Sequence, residues 1–350
     1  MLFDTNIPLK KLNSFGFDAI AEKAVRIEKS EELIHVLREC QAQDLAWRTL
    51  GGGSNVVLND KLPGLTLLMQ IKGRKLIEES PSHWIIQVGA GENWHEFVEW
   101  TLSKGWPGLE NLALIPGTCG AAPIQNIGAY GSEVAQTIQS VRALDLNKLH
   151  EDNPWIDIQN KDCAFTYRDS LFKHEPNRYI VTQVTFALPK EWVPNLSYAE
   201  LAKHIEQHSD GASAIPSITP KQIFDAVCAI RQAKLPDPKV IGNAGSFFHN
   251  PIVDADKHDE LKAKFPGLVS YPAGRVEGQT QFKLAAGWLI DQCGFKGFKS
   301  GNVGVYDKQA LVLVHYGQGS GAELLQLAAL IKEKIHAVYG VDLIQEPVIY

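Results

Sequence analysis

The stretch ALIPGTCGAAPIQNIGAYG, from Ala113 to Gly131, constrains this chain more than any other. It carries glycines at 117, 120, 128 and 131, small residues between them, and the amides of Gln125 and Asn126. A loop of this length inside a compact domain is usually functional or disordered, and this one is too apolar for disorder. Its small residues suit close approach to a flat, hydrogen-bonding ring system, with a buried crossover loop as the competing reading. A second glycine loop lies upstream in LGGGSNVVL, where Gly51, Gly52 and Gly53 precede Ser54 and Asn55. Consecutive glycines let backbone N–H groups converge on an anion, and Ser and Asn add side-chain hydrogen bonds, so a phosphate or diphosphate suits it. A tight turn explains three glycines as well. The spacing is neither that of a Walker A loop nor that of a Rossmann fingerprint.

The elements around these loops alternate. SEELIHVLREC reads as a helix with Ser30 as N-cap, and NWHEFVEWTLSKG as one opened by Asn93 and Glu96 and closed by Gly105. HWIIQVGAG and YIVTQVTFAL read as strands. TPKQIFDAVCAIRQAKLPDP predicts a helix capped by Thr219 with Pro220 in its first turn, and SGAELLQLAALIKEKIHAVYG one boxed by Ser320 and Glu323 and closed by Gly340. The class is therefore mixed α and β. The polar segment 208–217 is the linker candidate, and 350 residues suit two or three domains.

Composition excludes several classes. A net charge of −6 argues against a nucleic-acid binder, so an anionic ligand needs local cations. The five cysteines, Cys40, Cys119, Cys163, Cys228 and Cys293, include no C-x-x-C pair and read as free thiols of a cytoplasmic protein. No apolar run approaches a membrane span, and the N-terminus lacks a signal-peptide layout.

Four places offer chemistry. Arg168, in CAFTYRDSLFK, has apolar flanks, and a desolvated guanidinium needs a carboxylate or an anionic ligand. RQAKLPDPK supplies Arg231, Lys234 and Lys239, either a phosphate cluster or helix C-terminal cations. GNAGSFFHNP sets Ser246 behind small residues and before two phenylalanines that would exclude water. Glu346 stands alone in the apolar tail, as a solvated end group or a buried one with a task. His249 lies too near Ser246, with nothing to orient it, for a hydrolytic triad.

Taken together, LGGGSN, ENLALIPGTCGAAPIQNIGAYG, YRDSLFK, KLPDPKVIGNAGSFFHNP, KLAAGWLIDQCG and a terminal L-x-x-Glu closely resemble the UDP-N-acetylenolpyruvoylglucosamine reductases, flavoenzymes of bacterial peptidoglycan precursor synthesis. The resemblance runs from about residue 7 to residue 350. It implies an α+β chain: a vanillyl-alcohol-oxidase or PCMH-type FAD domain over 14–190, a flap and linker over 191–217, and a substrate domain over 218–350 whose tail, 341–350, returns to the active site. Non-covalent FAD would be held by Leu50, Gly51, Gly52, Gly53, Ser54 and Asn55, and by Ile115, Pro116, Gly117, Thr118, Gly120, Ala121, Ala122, Gln125, Asn126, Gly128, Ala129 and Tyr130. NADPH would be the co-substrate, and UDP-N-acetylglucosamine enolpyruvate would follow it into one cleft.

By the same resemblance, Ser246 is the proton donor, and Arg168 and Glu346 polarise the enolpyruvyl carboxylate. Lys234, Asn250, Tyr271, Lys296 and Gln309 match sugar-nucleotide positions, and Tyr198 matches the tyrosine of a flap over the diphosphate, a mark of the first structural type. A cytoplasmic monomer is expected. One departure is the ending Glu346-Pro347-Val348, where such reductases often read Glu-Val-Arg. Two other readings compete: a flavin oxidase with FAD tethered through Cys119, the only local nucleophile, and a non-catalytic sugar-nucleotide binder.

Overall fold

A computed structural model describes residues 3–208, 218–276 and 278–350. The linker candidate therefore lies outside the described residues, apart from His208. The chain forms two compact units: Met1–Ile7, Ala21–Gly53 and Pro63–Ala233 make the first, and Pro8–Ile20, Ser54–Leu62 and Lys234–Tyr350 the second.

The first unit holds two sheets. One orders strands Asp4–Pro8, Ile20–Ile27, Lys61–Met69 and Trp47–Leu50, the last pair parallel. The other orders Trp155–Gln159, Ile138–Asp145, Tyr179–Pro189, His83–Gly89 and Arg74–Glu79, antiparallel throughout. Helices α1 (Ser30–Ala42), α2 (Trp94–Ser103), α3 (Leu171–His174), α4 (Ala199–His208) and α5 (Pro220–Lys234) belong here, apart from Lys234 at the end of α5. The alternating strand Tyr179–Pro189 turns Val184, Phe186 and Leu188 into a core with Trp94, Phe97, Ile223 and Val227. Ser30 is the first residue of α1 rather than its N-cap. Lys29 is its N-cap, because the Glu32 carboxylate reaches back to the Glu28 and Lys29 N–H groups, while the Ser30 hydroxyl bonds Glu31. The Asn93 side chain does cap α2, and Thr219 and Pro220 open α5 as the sequence predicts.

The second unit packs α6 (Ala255–Lys264), α7 (Ala286–Gln292) and α8 (Gly321–Tyr339) with two sheets. One orders Gly242–Ser246, Val312–His315, Val303–Val305 and Lys299–Ser300. The other orders Ile252–Asp254, Gln279–Leu284 and Ser270–Val276. α8 has the predicted capping box of Ser320 and Glu323 and ends on Gly340 at φ 63°. The N-terminal segment joins this unit through Phe15 and Phe17, which pack with Phe247 and Phe248. These two phenylalanines are core residues, 0% and 1% exposed. They anchor the serine strand in the core of this unit.

Gly242 is dictated by that packing. An added Cβ would lie 2.0 Å from the Phe15 carbonyl oxygen. Gly242→Ala is expected to cost at least the ~1–3 kcal/mol of ordinary core overpacking, because a backbone atom rather than a flexible side chain must move. Urea unfolding of the two proteins checks this; an unchanged midpoint would show that the Phe15 segment yields freely.

Candidate active site

In the first unit the two glycine loops lie against each other. A Cβ on Gly51 would meet the Thr118 Oγ1 at 2.8 Å, and one on Gly52 the Gly117 Cα at 3.0 Å. These glycines are therefore required by loop-on-loop contact as well as by any ligand. Gly53, at φ 59°, turns the chain. The first turn of α2 clamps the second loop: the Trp94 indole donates to the Leu112 carbonyl at 2.8 Å and the Trp94 N–H to Gly117 at 3.1 Å, and the Cys119 N–H donates to Glu92 at 2.9 Å.

The loop is strained as well as clamped. Of seven described non-glycine residues with positive φ, Leu114, Asn126 and Tyr130 lie within it, and Arg168 lies against it. Such residues cost about 1–3 kcal/mol each and persist only where their surroundings over-determine them. Asn126 meets that condition. It is fully buried, donates to Glu133 and to the Thr166 carbonyl, and accepts from the Ala135 N–H. Its side chain is thus committed within the protein. The Arg168 guanidinium donates to the Gly128 carbonyl at 2.8 Å. Tyr198 meets the Tyr130 ring edge-on, 5.2 Å between centroids.

Arg231 stands out by its burial. Its Nε is buried and has no hydrogen-bond partner among the described residues. Burial holds its pKa below the usual arginine value, and the Arg168 charge pushes it the same way. The same burial pushes the Tyr130 phenol up to about 12. In RQAKLPDPK the arginine reads as one cation among three; only its burial separates it from Lys239, which is exposed. Cys119 is fully buried, and burial drives its thiol well above the ordinary range, so it is a poor nucleophile for tethering a flavin. All five cysteines are free.

In the second unit the structure brings Ser246 and Glu346 together. Ser246 ends its strand opposite Val312, just past a bulge in which Gly245, at φ 71°, gives its N–H to the Asn243 side chain. The tail then runs alongside: the Glu346 N–H donates to the Phe247 carbonyl at 2.9 Å and the His249 N–H to Ile344 at 2.8 Å. On the tail's other flank the Asn55 amide donates to the Glu346 carbonyl, and Val348–Ile349 pairs in parallel with Val56–Val57. Glu346 is half-buried. At the departure from the Glu-Val-Arg ending, Pro347 is buried and Val348 enters that parallel pair.

The other expected ligand residues are dispersed over this unit. Asn250 accepts from the Ala286 N–H at the start of α7. Gln309 accepts weakly from Leu311 at 3.3 Å, Tyr271 is exposed on the strand Ser270–Val276, and Lys296 stands 3.6 Å from Asp291. Lys234 is half-buried at the end of α5.

Comparison with known proteins now fixes the class. A family model described as an FAD binding domain matches residues 21–148. With the clamped loops of the first unit, it makes the chain an FAD-dependent oxidoreductase of α+β fold. Residues 237–350 match the model described as the C-terminal domain of UDP-N-acetylenolpyruvoylglucosamine reductase. Curated proteins of that name are 53% identical over 98% of this chain and 95% of the relative in Polynucleobacter asymbioticus, and 50% identical over 99% and 97% in Paraburkholderia phymatum. The chain belongs to the UDP-N-acetylenolpyruvoylglucosamine reductase family. The crystal structure of such a reductase from Thermus caldophilus, 21% identical, covers 100% of both chains with a TM-score of 0.65 and so shares the fold.

Two arginines differ in how their charge is met. Arg178 holds the buried Asp145 carboxylate through two contacts of 3.2 and 3.3 Å, and Arg178→Met is expected to lower the unfolding midpoint by leaving that carboxylate only the Asn147 N–H among the described residues. Arg231→Met removes a guanidinium whose Nε is unsatisfied, so the unfolding midpoint should hold or rise. Thermal denaturation of both variants measures the contrast; a loss at Arg231 equal to that at Arg178 would make it a structural residue.

Proposed function

We propose that this chain reduces the enolpyruvyl group of UDP-N-acetylglucosamine enolpyruvate with NADPH, giving UDP-N-acetylmuramate for peptidoglycan synthesis. The observation that carries this reading is the hydrogen-bonded pairing of the tail with the serine strand, which sets Glu346 beside the residue that follows Ser246. The loops at 50–55 and 115–130 would hold FAD. They fit it: Gly51 and Gly52, being small, keep the two loops close together, and beside Tyr130 and Arg168 stands a buried guanidinium whose Nε has no partner among the described residues. Bound FAD would carry hydride from NADPH to C3 of the enolpyruvyl group.

This chain's residues then manage charge and proton. Hydride at C3 leaves negative charge on C2 and its carboxylate. Arg168, held by the Gly128 carbonyl, meets that carboxylate, and Glu346, protonated or hydrogen-bonded through Arg168, stabilises the charge rather than repelling it. Ser246 gives its proton to C2 and recovers one through its neighbours. Lys234, Asn250, Tyr271, Lys296, Gln309 and Tyr198 bind the sugar nucleotide. The enzyme acts as a cytoplasmic monomer. Among the described residues no helix is long and apolar enough to cross a membrane.

Both substrates are polyanions on a chain of net charge −6, so one cationic cleft serves them in turn. Initial rates over a grid of both concentrations should therefore give parallel reciprocal lines; intersecting lines would mean a ternary complex. In Ser246→Ala, NADPH should still bleach the flavin anaerobically, while reoxidation by the enolpyruvyl nucleotide falls by at least the ~10²–10⁴ of one proton-transfer group. Near-normal turnover of that variant would remove Ser246 from the chemistry. Release of yellow colour on denaturation tests the non-covalent cofactor.

A further inference from the structure

We propose that His95 is a positioning residue for the cofactor: its neutral imidazole holds the strained turn at Leu114 in the shape the second glycine loop needs to grip FAD. The inference rests on the FAD reading of that loop and adds a group outside both loops.

Leu114 sits at φ 58°, an unfavourable conformation for a bulky residue, immediately before Ile115, Pro116 and Gly117. Its N–H donates to His95 Nδ1 at 3.0 Å. The acceptor role fixes the tautomer, because Nδ1 must be bare and Nε2 must carry the proton. Nε2 stands 3.7 Å from the Glu99 carboxylate. The ring lies flat on Phe224 of α5, 5.4 Å between centroids and 6° between planes. His95 is thus held between α5 and the strained turn. Among the described residues, of the contacts by which the start of α2 holds the loop, the one at Leu114 is the only one accepted by a titratable side chain.

The charged groups facing the ring are Glu96 and Glu99 on its own helix and Arg231 on α5. Loop residues 112–118 carry no titratable side chain. Cys228 on α5 stays protonated, its thiol pushed up to about 11 by burial. Burial lowers the imidazole pKa below the ordinary 6.5, and Arg231 lowers it further against the two glutamates. The ring is therefore neutral at pH 7. Protonation at lower pH would set an Nδ1–H against the Leu114 N–H, and the grip on FAD would fall as pH falls through that pKa.

The test measures FAD dissociation constants of the holoenzyme by ultrafiltration from pH 8 to pH 5, with circular dichroism confirming fold. Asn places an amide oxygen near the Nδ1 position and does not titrate. His95→Asn is expected to bind FAD within about threefold of the wild type at pH 7.5 and to lose the part of the acid weakening that His95 causes. His95→Ala, lacking an acceptor, should bind about tenfold more weakly, the size of one hydrogen bond. Exchange of the Leu114 amide gives a second readout, fast in His95→Ala and protected in His95→Asn. If His95→Asn is as weak as His95→Ala, if His95→Ala binds like the wild type, or if the acid profile of His95→Asn matches the wild type, the proposal is overturned. Failure of the wild type to bind FAD at any pH would overturn the FAD reading itself, and this proposal with it.

Discussion

The backbone ladder of the C-terminal tail is the constraint on which the second unit's proposed chemistry depends. Residues 344–350 are bonded on both flanks, to Phe247 and His249 on one side and to Asn55, Val57 and Asn59 on the other. Each bond adds only about 0.5–1.5 kcal/mol net. Their larger effect is register. In extended chain a slip of one residue turns every side chain to the opposite face, so the bonds from Glu346 N–H to Phe247 and from His249 N–H to Ile344 together decide where the carboxylate points. The serine strand is fixed as firmly. Gly242 admits the Phe15 carbonyl, the Asn243 N–H bonds Ser14, and past the bulge at Gly245 the strand resumes with Ser246 opposite Val312.

The first unit solves the same problem without a ladder. Its long loop has almost no regular pairing, so side chains replace strand partners. Asn111 ties the Tyr130 carbonyl to that of Asn195, Ser170 bonds the Ile124 carbonyl, Arg168 that of Gly128, and Asn126 spends its whole amide on Glu133, Thr166 and Ala135. A loop held this way can keep residues at positive φ, because each unfavourable torsion is opposed by a buried hydrogen bond that would be lost on relaxation. Pre-formed shape is what a bound ring system requires if binding is not to bear the entropy of ordering the loop.

How much of this is legible in the sequence depends on distance along the chain. The ends of α8 follow from Ser320, Glu323 and Gly340 because capping is local chemistry. Ser30 misleads, since its hydroxyl turns to Glu31 while the Glu32 carboxylate reaches back to the Glu28 and Lys29 N–H groups. The glycine loops stand out by composition, yet their contact through Gly52 and Gly117 does not, and Asn126 looks like a ligand group when its amide is internal scaffolding. His95 escapes notice because a histidine after a capping Asn resembles any polar position of an amphipathic helix; its partners Leu114 and Phe224 come from separate segments. The place of Phe15 beneath the serine strand is likewise a long-range fact.

Charge placement links stability to the proposed chemistry. Asp145 is buried with both oxygens engaged by Arg178, an arrangement complete in itself. Arg231 lacks that completeness: its Nε is desolvated without a partner, and Arg168 adds like charge. A fold selected only for stability gains from an apolar side chain at such a position. An unsatisfied guanidinium is favourable only if an anion arrives to satisfy it, and the desolvation cost, already met in folding, then sharpens the attraction in a medium of low dielectric. On the proposed reading that anion belongs to the cofactor held by the loops at 50–55 and 115–130. A cation already satisfied by an internal carboxylate, as Arg178 is, would have little left to offer it. On that reading the incompleteness of Arg231 among the described residues is the property that suits it to a ligand.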